Sequence, residues 1–242
     1  RRKLRVVHGR LLEAEAIRLR QVHRRAGRYV SDATYRRHQQ QRRRNARALA
    51  TLVAENEVGQ TIPLEELVEK SLANPNNRRA ELMVRIYGFD QVSQELGHAA
   101  VMLTITCPSR MHAFGYKNGE ANPRFDSKST PRLAQKYLTL IWSRIRTKWQ
   151  HQGLRPYGFR VTEAHHDGTP HWHLLLFIEQ ERVTAMIATA RHHAMLDTPN
   201  EPGAEKHRFR VEHIDRNKGS ATGYIAKYIS KNIDGKGLPV EN

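Results

Sequence analysis

The sequence predicts an α+β protein in which an antiparallel sheet of split βαβ topology follows an α-helical, basic domain. From Leu11 to about Gly97, apolar residues recur at helical spacing with almost no alternation, which is typical of packed helices. After Gly97, short apolar or alternating runs typical of strands interleave with longer helical segments. We therefore expect two domains, a helical domain at residues 1–97 and a sheet-containing domain at residues 98–242.

Capping and turn-forming residues divide the first domain into separate helices. Ser31 can cap a helix that runs towards Gly59, Pro63 suits the first turn of another helix, and Asn74 with Pro75 interrupts the segment that follows. We expect these helices to carry most of the positive charge of the chain.

The charge of the chain is concentrated near its start. The formal net charge is +17, and residues 1–50 contain 16 Lys and Arg but 3 acidic residues. Such an excess is often only a solvated surface, but at this density it favours binding to a polyanion, and nucleic acid over a membrane surface. The candidate nucleic-acid-binding residues are Arg42, Arg43, Arg44 and Arg47.

The second domain shows six sheet or helix elements and then one more helix. The first is a strand at Val101–Thr106, and a helix follows that Thr130-Pro131 opens and Gly153 closes. Strands at Tyr157–Ala164 and His171–Ile178 come next, joined by a turn at Asp167-Gly168. A helix at 182–195, a strand at His207–His213 and a final helix that Gly235 can end complete the order. The stripe expected to be buried on the first helix consists of Leu133, Tyr137, Leu140, Ile141, Ile145 and Trp149. The order β-α-β-β-α-β predicts a ferredoxin-like sheet whose first and third strands are central. Those two strands are also the most continuously apolar, as burial on both faces requires.

Bulk features place the protein in the cytoplasm without a membrane anchor. No stretch approaches the roughly 18 apolar residues that cross a bilayer. The single cysteine, Cys107, excludes an internal disulfide framework and suits a reducing compartment, where it is expected to be a small core residue. The chain lacks an initiator Met and ends shortly after residue 235, so we expect a fragment of a longer protein.

A candidate metal site lies on the third predicted strand. Because side chains alternate along a strand, His171 and His173 share one face and Trp172 lies on the other. Two imidazoles that converge in this way can bind a metal ion, although a His-x-His pair is weak support alone. Glu163 on the preceding strand is the candidate third ligand if the connecting loop has an odd number of residues, and His165 shares its parity as the alternative.

A pair of tyrosines marks the final helix. Tyr224 and Tyr228 lie one turn apart, and each is followed three residues later by a lysine, Lys227 or Lys231. The stripe that would pack on the sheet consists of Ile225, Ile229 and Ile233. Aromatic residues at this spacing are more often core than catalytic, so this pattern too is only suggestive alone.

The two patterns together fit one reaction. A divalent cation at the histidines can polarise a DNA phosphate and stabilise the charge that develops on it. A phenol, with a pKa near 10, is the side-chain hydroxyl most readily ionised for attack on that phosphate. A neighbouring lysine can offset the phosphate charge, and a second tyrosine permits a second transesterification. The combination predicts a metal-dependent tyrosine endonuclease.

Three segments of the second domain resemble the HUH endonuclease superfamily, and most closely its phage replication gene A protein family. They run from Leu103 to Ala113, from His165 to His173 and from Tyr224 to Asn232, in the order and with the separation that are typical of the family. The resemblance covers roughly residues 98–236, and the helical first domain offers no motif by which we can identify the family. Its expected role in DNA binding depends on charge alone.

The resemblance implies a function and assigns residues to it. It implies site-specific nicking and joining of single-stranded DNA at a replication origin, with a 5′-phosphotyrosyl intermediate and a free 3′-OH, to initiate rolling-circle replication with a host helicase and polymerase in the bacterial cytoplasm. It assigns metal binding to His171 and His173, nucleophilic attack to Tyr224 and Tyr228, and a supporting role to Lys227. The ligand chemistry itself leaves Mg²⁺ and Mn²⁺ as candidate metals. Glu163 as third ligand and Lys231 as a DNA contact remain inferences from the residues.

Three other interpretations remain open. A relaxase or a single-strand transposase would use the same chemistry for transfer or mobility. A non-catalytic nucleic-acid-binding module could have the same sheet, but its central strands would be expected to carry a denser aromatic platform than Trp172 and Phe177 provide. A zinc hydrolase based on His165, His166, His171 and His173 would leave the repeated Tyr/Lys pattern unexplained.

Overall fold

The structure, a computed structural model, describes residues 1–27, 29–115 and 120–233. Its helices are α1 (Arg2–Arg18), α2 (Asp32–Thr51), α3 (Leu64–Lys70), α4 (Pro75–Glu95), α5 (Pro131–His151), α6 (Val183–Met195), α7 (Ala204–His207) and α8 (Ala221–Ile233). Its strands are β1 (Val53–Glu55), β2 (Thr61–Pro63), β3 (Ala99–Thr106), β4 (Tyr157–Ala164), β5 (Pro170–Ile178) and β6 (Phe209–His213). In the described part of the chain, no helix is long and apolar enough to cross a membrane.

Strands β3 to β6 form one antiparallel sheet in the order β4-β5-β3-β6. The expectation that β3 and β5 are central is therefore confirmed. Every residue of β5 is buried, and so are most residues of β3. A strand that is covered on both faces loses water from all of its side chains, so it has to be apolar along its whole length.

Helices pack on both faces of this sheet. On one face, α5 and α6 bury a core that includes Leu103, Ile141 and Leu174. On the other face, α4 and α8 bury a second core around Ile86 and Phe177. Burying each of these side chains stabilises the fold by about 1.5–3 kcal/mol relative to leaving it in water. The sheet is thus held between two helical layers, which fixes the side chains at its strand ends.

Helix α5 is bounded as expected but turned relative to the predicted stripe. Thr130 caps it by accepting a hydrogen bond from the backbone N–H of Leu133. The buried residues of the helix are Ala134, Leu138, Ile141, Ile145 and Trp149. The prediction was wrong for Leu133 and Leu140, which are 45% and 50% exposed. Each of them precedes a buried residue by one position, and about 100° of rotation per residue turns it away from the core.

The region between α2 and α3 contains a hairpin that was not expected. Ser31 caps α2 as predicted, since its hydroxyl oxygen accepts a hydrogen bond from the backbone N–H of Thr34. The helix ends at Thr51 instead of near Gly59, and β1 and β2 then pair. In the connecting turn, the Asn56 side chain accepts two backbone hydrogen bonds and Gly59 has a φ of +79°. Continuous helical structure up to Gly97 was therefore a wrong expectation, because Asn and Gly in these positions favour a turn.

The last strand and the last helix also differ slightly from their predicted bounds. His207 ends α7, so the strand begins two residues later than expected, at Phe209. The intervening Arg208 is almost fully buried, and its guanidinium donates to the carbonyl of Asp197 and pairs with Glu201. These contacts hold the turn that was read as strand. The predicted helix end at Gly235 lies outside the described residues.

Helix α4 belongs structurally to the sheet, although it precedes the domain boundary predicted at residue 97. Ile86 is buried between this helix, α8 and the sheet. Asp90, which is 1% exposed, accepts a hydrogen bond from Arg216 at 2.6 Å and another from the backbone N–H of Thr222 at the start of α8. The position of the boundary stays a prediction, and these contacts favour one that precedes α4.

Candidate active site

Two histidines and one glutamate meet where β4 and β5 pair. Five residues, 165–169, separate these strands, and Glu163 lies directly opposite His171 in the register. The loop therefore has the odd number that the sequence left undecided. Glu163 Oε2 lies 3.0 Å from His173 Nε2 and 3.3 Å from His171 Nε2, and the two Nε2 atoms are 2.8 Å apart. The donor set of two imidazole nitrogens and one carboxylate oxygen, all within 4.8 Å of one another, could hold a metal ion.

Neighbouring groups orient two of the three candidate ligands. Thr104 on β3 lies with its hydroxyl 3.0 Å from Nδ1 of His173, which fixes the plane of that imidazole. Lys231 on α8 donates to Glu163 Oε1 at 2.9 Å, so Oε2 is left to face the histidines. His171 Nδ1 is buried and has no hydrogen-bond partner among the described residues. The structure thus places Lys231 on the carboxylate, while its predicted contact with DNA stays a prediction.

The electrostatics of this group favour the ligand forms of the side chains. Burial raises the pKa of the Glu163 carboxyl, but hydrogen bonds with His171, His173 and Lys231 outweigh this and hold that pKa well below its usual range. Burial also lowers the pKa of His173, against the opposing effect of Glu163. An ionised carboxylate and a neutral imidazole are the forms that bind divalent cations.

Tyr228 lies against the histidine pair. Its ring stacks on that of His173, with a centroid distance of 3.7 Å and an interplanar angle of 22°. The ammonium of Lys227, which is exposed, lies 4.8 Å from the Tyr228 ring centroid. Helix α8 contributes Lys227, Tyr228 and Lys231 to the lining of a cavity of about 530 Å³ that also contains Glu163 and both histidines. This catalytic cavity, as we call it below, brings the second predicted tyrosine and the predicted metal ligands together.

Tyr224 has a different environment. It is half-buried and packs at the edge of the apolar core between α8 and the sheet, next to Ile225. It lies one helical turn before Tyr228, as its spacing predicts. The assignment of both tyrosines as nucleophiles stays a prediction, and the two are not equivalent in this structure.

His112 and Asp167, which sequence reasoning did not select as site residues, form a buried pair beside the metal-ligand group. Asp167 does lie in the predicted turn, but it is 3% exposed and accepts hydrogen bonds from His112 Nδ1 at 3.2 Å and from the backbone N–H of Thr169. Burial raises the pKa of the Asp167 carboxyl, but these hydrogen bonds outweigh it and bring that pKa to about 2. The segment from Leu103 to Ala113, singled out for its resemblance, contains His112 and was the available signal.

His165 lies between this pair and the histidines of the metal-ligand group. Its ring centroid is 4.0 Å from that of His171 and 5.0 Å from that of His112. Burial, followed by the charges of His171 and His112, holds the pKa of His165 well below its usual value. Among the described residues the metal-ligand group comprises Glu163 and the two histidines of β5, so the alternative ligand stands beside the group and not within it.

The candidate DNA-binding arginines lie on α2, within the predicted first domain. Arg42, Arg43, Arg44 and Arg47 are all exposed, and no residue of this helix is buried. Their arrangement is compatible with contacts to phosphates, and their role in DNA binding stays a prediction.

Comparison with known proteins gives consistent matches. The family model for the bacteriophage replication gene A protein (GPA) matches residues 1–236, so the likeness extends through the helical region and is not limited to residues 98–236 as expected. The chain is 45% identical over 208 residues to the replication gene A protein of Escherichia phage 186, which covers 84% of this chain and 29% of that protein. It is 37% identical over 242 residues to the replication protein of Haemophilus phage HP1, with 99% and 30% covered. It is 41% identical over 221 residues to a probable replication endonuclease from a prophage-like region of Salmonella paratyphi A, with 91% and 27% covered. The chain therefore spans about three tenths of the length of these relatives. No solved structure matches the chain significantly.

Proposed function

Since the chain belongs to the bacteriophage replication gene A protein family, we propose that it nicks and rejoins single-stranded DNA at a replication origin and so initiates rolling-circle replication. The observation that carries this proposal is the stacking of Tyr228 on His173, beside Glu163 and His171. It combines a nucleophile with a set of metal ligands in one cavity. We assign the sheet to the ferredoxin-like core of HUH endonucleases, with which its strand order agrees.

Each residue of the site has a defined part in the proposed reaction. A divalent cation bound by the two histidines and the glutamate would polarise the non-bridging oxygens of the scissile phosphate. Tyr228 loses its phenolic proton to solvent, and its oxygen attacks the phosphorus. The bond from phosphorus to the 3′-oxygen breaks, and this oxygen leaves with the electron pair and takes up a proton. The products are a 5′-phosphotyrosine and a free 3′-OH, so the energy of the phosphodiester is kept for rejoining.

The lysines of α8 support this reaction in two ways. Lys227, which is exposed and adjacent to the Tyr228 ring, can offset the negative charge of the phosphate that approaches. Lys231 holds Glu163 Oε1 and therefore positions the carboxylate for the histidine side. Two imidazoles with one carboxylate suit Mn²⁺ and other transition ions, and Mg²⁺ is the alternative that harder oxygen ligands would favour.

The whole protein would act in replication together with host proteins. The names of the relatives concern replication, which favours an initiator over a relaxase or transposase. A free 3′-OH at the nick would prime synthesis by a host polymerase, with a host helicase separating the strands in the bacterial cytoplasm. We propose both as partners of the whole protein.

The test is covalent capture of DNA. Single-stranded DNA that carries the origin of the encoding replicon, labelled at its 3′ end, is incubated with the chain and Mn²⁺ and run on a denaturing gel. We expect a protein-DNA band that is lost when Tyr228→Phe is introduced and kept in Tyr35→Phe, a matched change at an exposed tyrosine of α2. Binding without a covalent band in any divalent cation would instead identify a non-catalytic DNA-binding module.

A further inference from the structure

A second pocket adjoins the catalytic cavity. Its volume is about 400 Å³, within the range of pockets that bind small organic groups. Its walls come from the loop after β3, the 165–168 turn and the segment before α7. It shares Thr106, His165, His166 and His207 with the catalytic cavity, so the two spaces are neighbours across a single wall.

The walls of this adjoining pocket combine apolar surfaces with polar atoms that lack partners. Phe114, Pro123 and Pro202 contribute flat apolar surface. In the neutral imidazole that donates its Nδ1 proton to Asp167, His112 Nε2 is an acceptor. His112 Nε2 and His165 Nε2 are both buried without a hydrogen-bond partner among the described residues. A buried polar atom without a partner destabilises the protein, and a bound hydrogen-bond donor would remove that cost.

A row of imidazoles connects this pocket to the reacting centre. Ring centroids are 4.6 Å apart from His173 to His171, 4.0 Å from His171 to His165 and 5.0 Å from His165 to His112. A strand whose scissile phosphate lies beside Tyr228 would therefore bring a neighbouring nucleotide to the pocket.

We propose that this pocket binds one unstacked base of the single-stranded substrate, and that it selects a base with an exocyclic amine. The proposal builds on the proposed function. Unstacked bases are commonly held between flat side chains and read through hydrogen bonds at their edges. An exocyclic amine projects beyond the ring edge and can donate to His112 Nε2. The ring N3–H of thymine, which is its only donor, is flanked by two carbonyl oxygens that would face the same acceptor nitrogen, so thymine is disfavoured at that position.

The test measures base preference in the absence of cleavage. The full chain in EDTA is mixed with a synthetic pool of single-stranded 30-mers of random sequence, and the bound molecules are recovered and sequenced. We expect wild-type protein to deplete thymine about tenfold at one position of the enriched motif, as a lost hydrogen bond at one base would. His112→Gln should reduce this depletion to less than about twofold and leave the rest of the motif unchanged.

Matched variants separate the pocket from folding and from general binding. His151→Gln, at the exposed end of α5, should keep the preference. Ala121→Trp fills the pocket from its exposed rim and leaves both His112 and Asp167 unsubstituted, so it tests the proposal if His112→Gln does not fold. Ala80→Trp, at an exposed position of α4, is its control.

Either of two results overturns the proposal: no position at which wild-type protein disfavours thymine, or the same depletion in His112→Gln and Ala121→Trp. The outcome is separate from that of covalent capture. A Tyr228-dependent adduct without any base preference would refute the proposed base pocket but not the nicking activity. A base preference without an adduct would refute the nicking activity but not the base pocket.

Discussion

The candidate functional side chains of helix α2 are exposed to solvent, whereas those of strand β5 are buried. The arginines of α2 are exposed on a helix without a single buried residue. Every residue of β5 is buried, and its two histidines are held by Thr104 and Glu163. Exposed cations can approach phosphates anywhere along a strand, whereas a fixed buried group acts on one phosphate. The difference suggests that affinity for DNA and chemistry on DNA reside in separate parts of the molecule, and the predictions below test that separation.

The largest effect is expected when either histidine of β5 is removed. We expect His171→Ala or His173→Ala to lower the rate of adduct formation by at least about 100-fold, because each removes a ligand of the group that stabilises the phosphate charge. Affinity for single-stranded DNA, measured by fluorescence anisotropy, should change less than about threefold, because the basic helices are intact. Chelation of divalent ions should have the same pair of effects, and full activity with excess chelator would exclude a metal role. His151→Ala is the control.

The next test distinguishes the two tyrosines of helix α8. Tyr228→Phe should slow the first adduct by at least about 100-fold, because it removes the hydroxyl of the ring that stacks on His173. Tyr224→Phe should still form an adduct but lose repeated cleavage and joining, for which the second hydroxyl is needed. Mass spectrometry of the adduct peptide identifies the tyrosine used. If Tyr228→Phe forms adducts through Tyr224 at the wild-type rate, the two are equivalent nucleophiles despite their different surroundings.

Removing charge from α2 should alter DNA binding and leave the rate of adduct formation nearly unchanged, which is the reverse of the effect expected for the histidine variants. Replacing Arg42, Arg43, Arg44 and Arg47 by Gln should flatten the plot of log K against log salt by about 0.7 for each lost phosphate contact on single strands. The rate of adduct formation at saturating DNA should stay within about twofold of wild type, because the site is untouched. Substitution is preferable to deletion of residues 1–50, since Ile17 and Val22 pack with Phe114 in a small core. An unchanged slope would show that these arginines do not contact DNA.

The smallest effect concerns stability in acid. The pKa of Asp167 lies at about 2 in the folded protein against 3.8 as its reference. A depressed carboxyl pKa stabilises the fold above the unfolded value, and this contribution, about 2 kcal/mol, is lost as pH falls through the folded value. Between pH 4.5 and 2.5 the free energy of unfolding should therefore decrease less in Asp167→Asn than in wild type. Parallel decreases in urea titrations would mean that the carboxylate is not held by His112.

The sequence predicted the residues that share one element better than those that meet across elements. Alternation was sufficient to place His171 and His173 on one face, and the helical repeat placed Tyr224 and Tyr228 one turn apart. Glu163 could not be decided in the same way, because its facing depends on the strand register and therefore on loop length. The pairing of His112 with Asp167 depends on how the loop after β3 folds over the 165–168 turn, and no local periodicity encodes that.

Errors in the fold have similar physical origins. The apolar residues of α5 were correctly taken as helical, but the stripe was assigned too broadly, since Leu133 and Leu140 are as apolar as their buried neighbours. The hairpin formed by β1 and β2 is only three residues long on each side, too short for an alternating pattern to emerge. For α5, tertiary packing, which a single sequence does not contain, decides which apolar residues are buried. For the hairpin, Asn56 and Gly59 were the available local signal.

The hydrogen bond from Lys231 to Glu163 couples the binding of a metal ion at the proposed site to the docking of helix α8 on the sheet. One carboxylate oxygen faces the histidines and the other accepts a hydrogen bond from a helix that also carries Tyr228. If an ion bound at Oε2 strengthens the docking of the helix by some factor, the docked helix must strengthen ion binding by that same factor. A change that loosens α8 from the sheet, even far from the ligands, then weakens the affinity for the ion. Under the proposed mechanism, Glu163 is thus a shared anchor that links the position of Tyr228 to the occupancy of the proposed metal site.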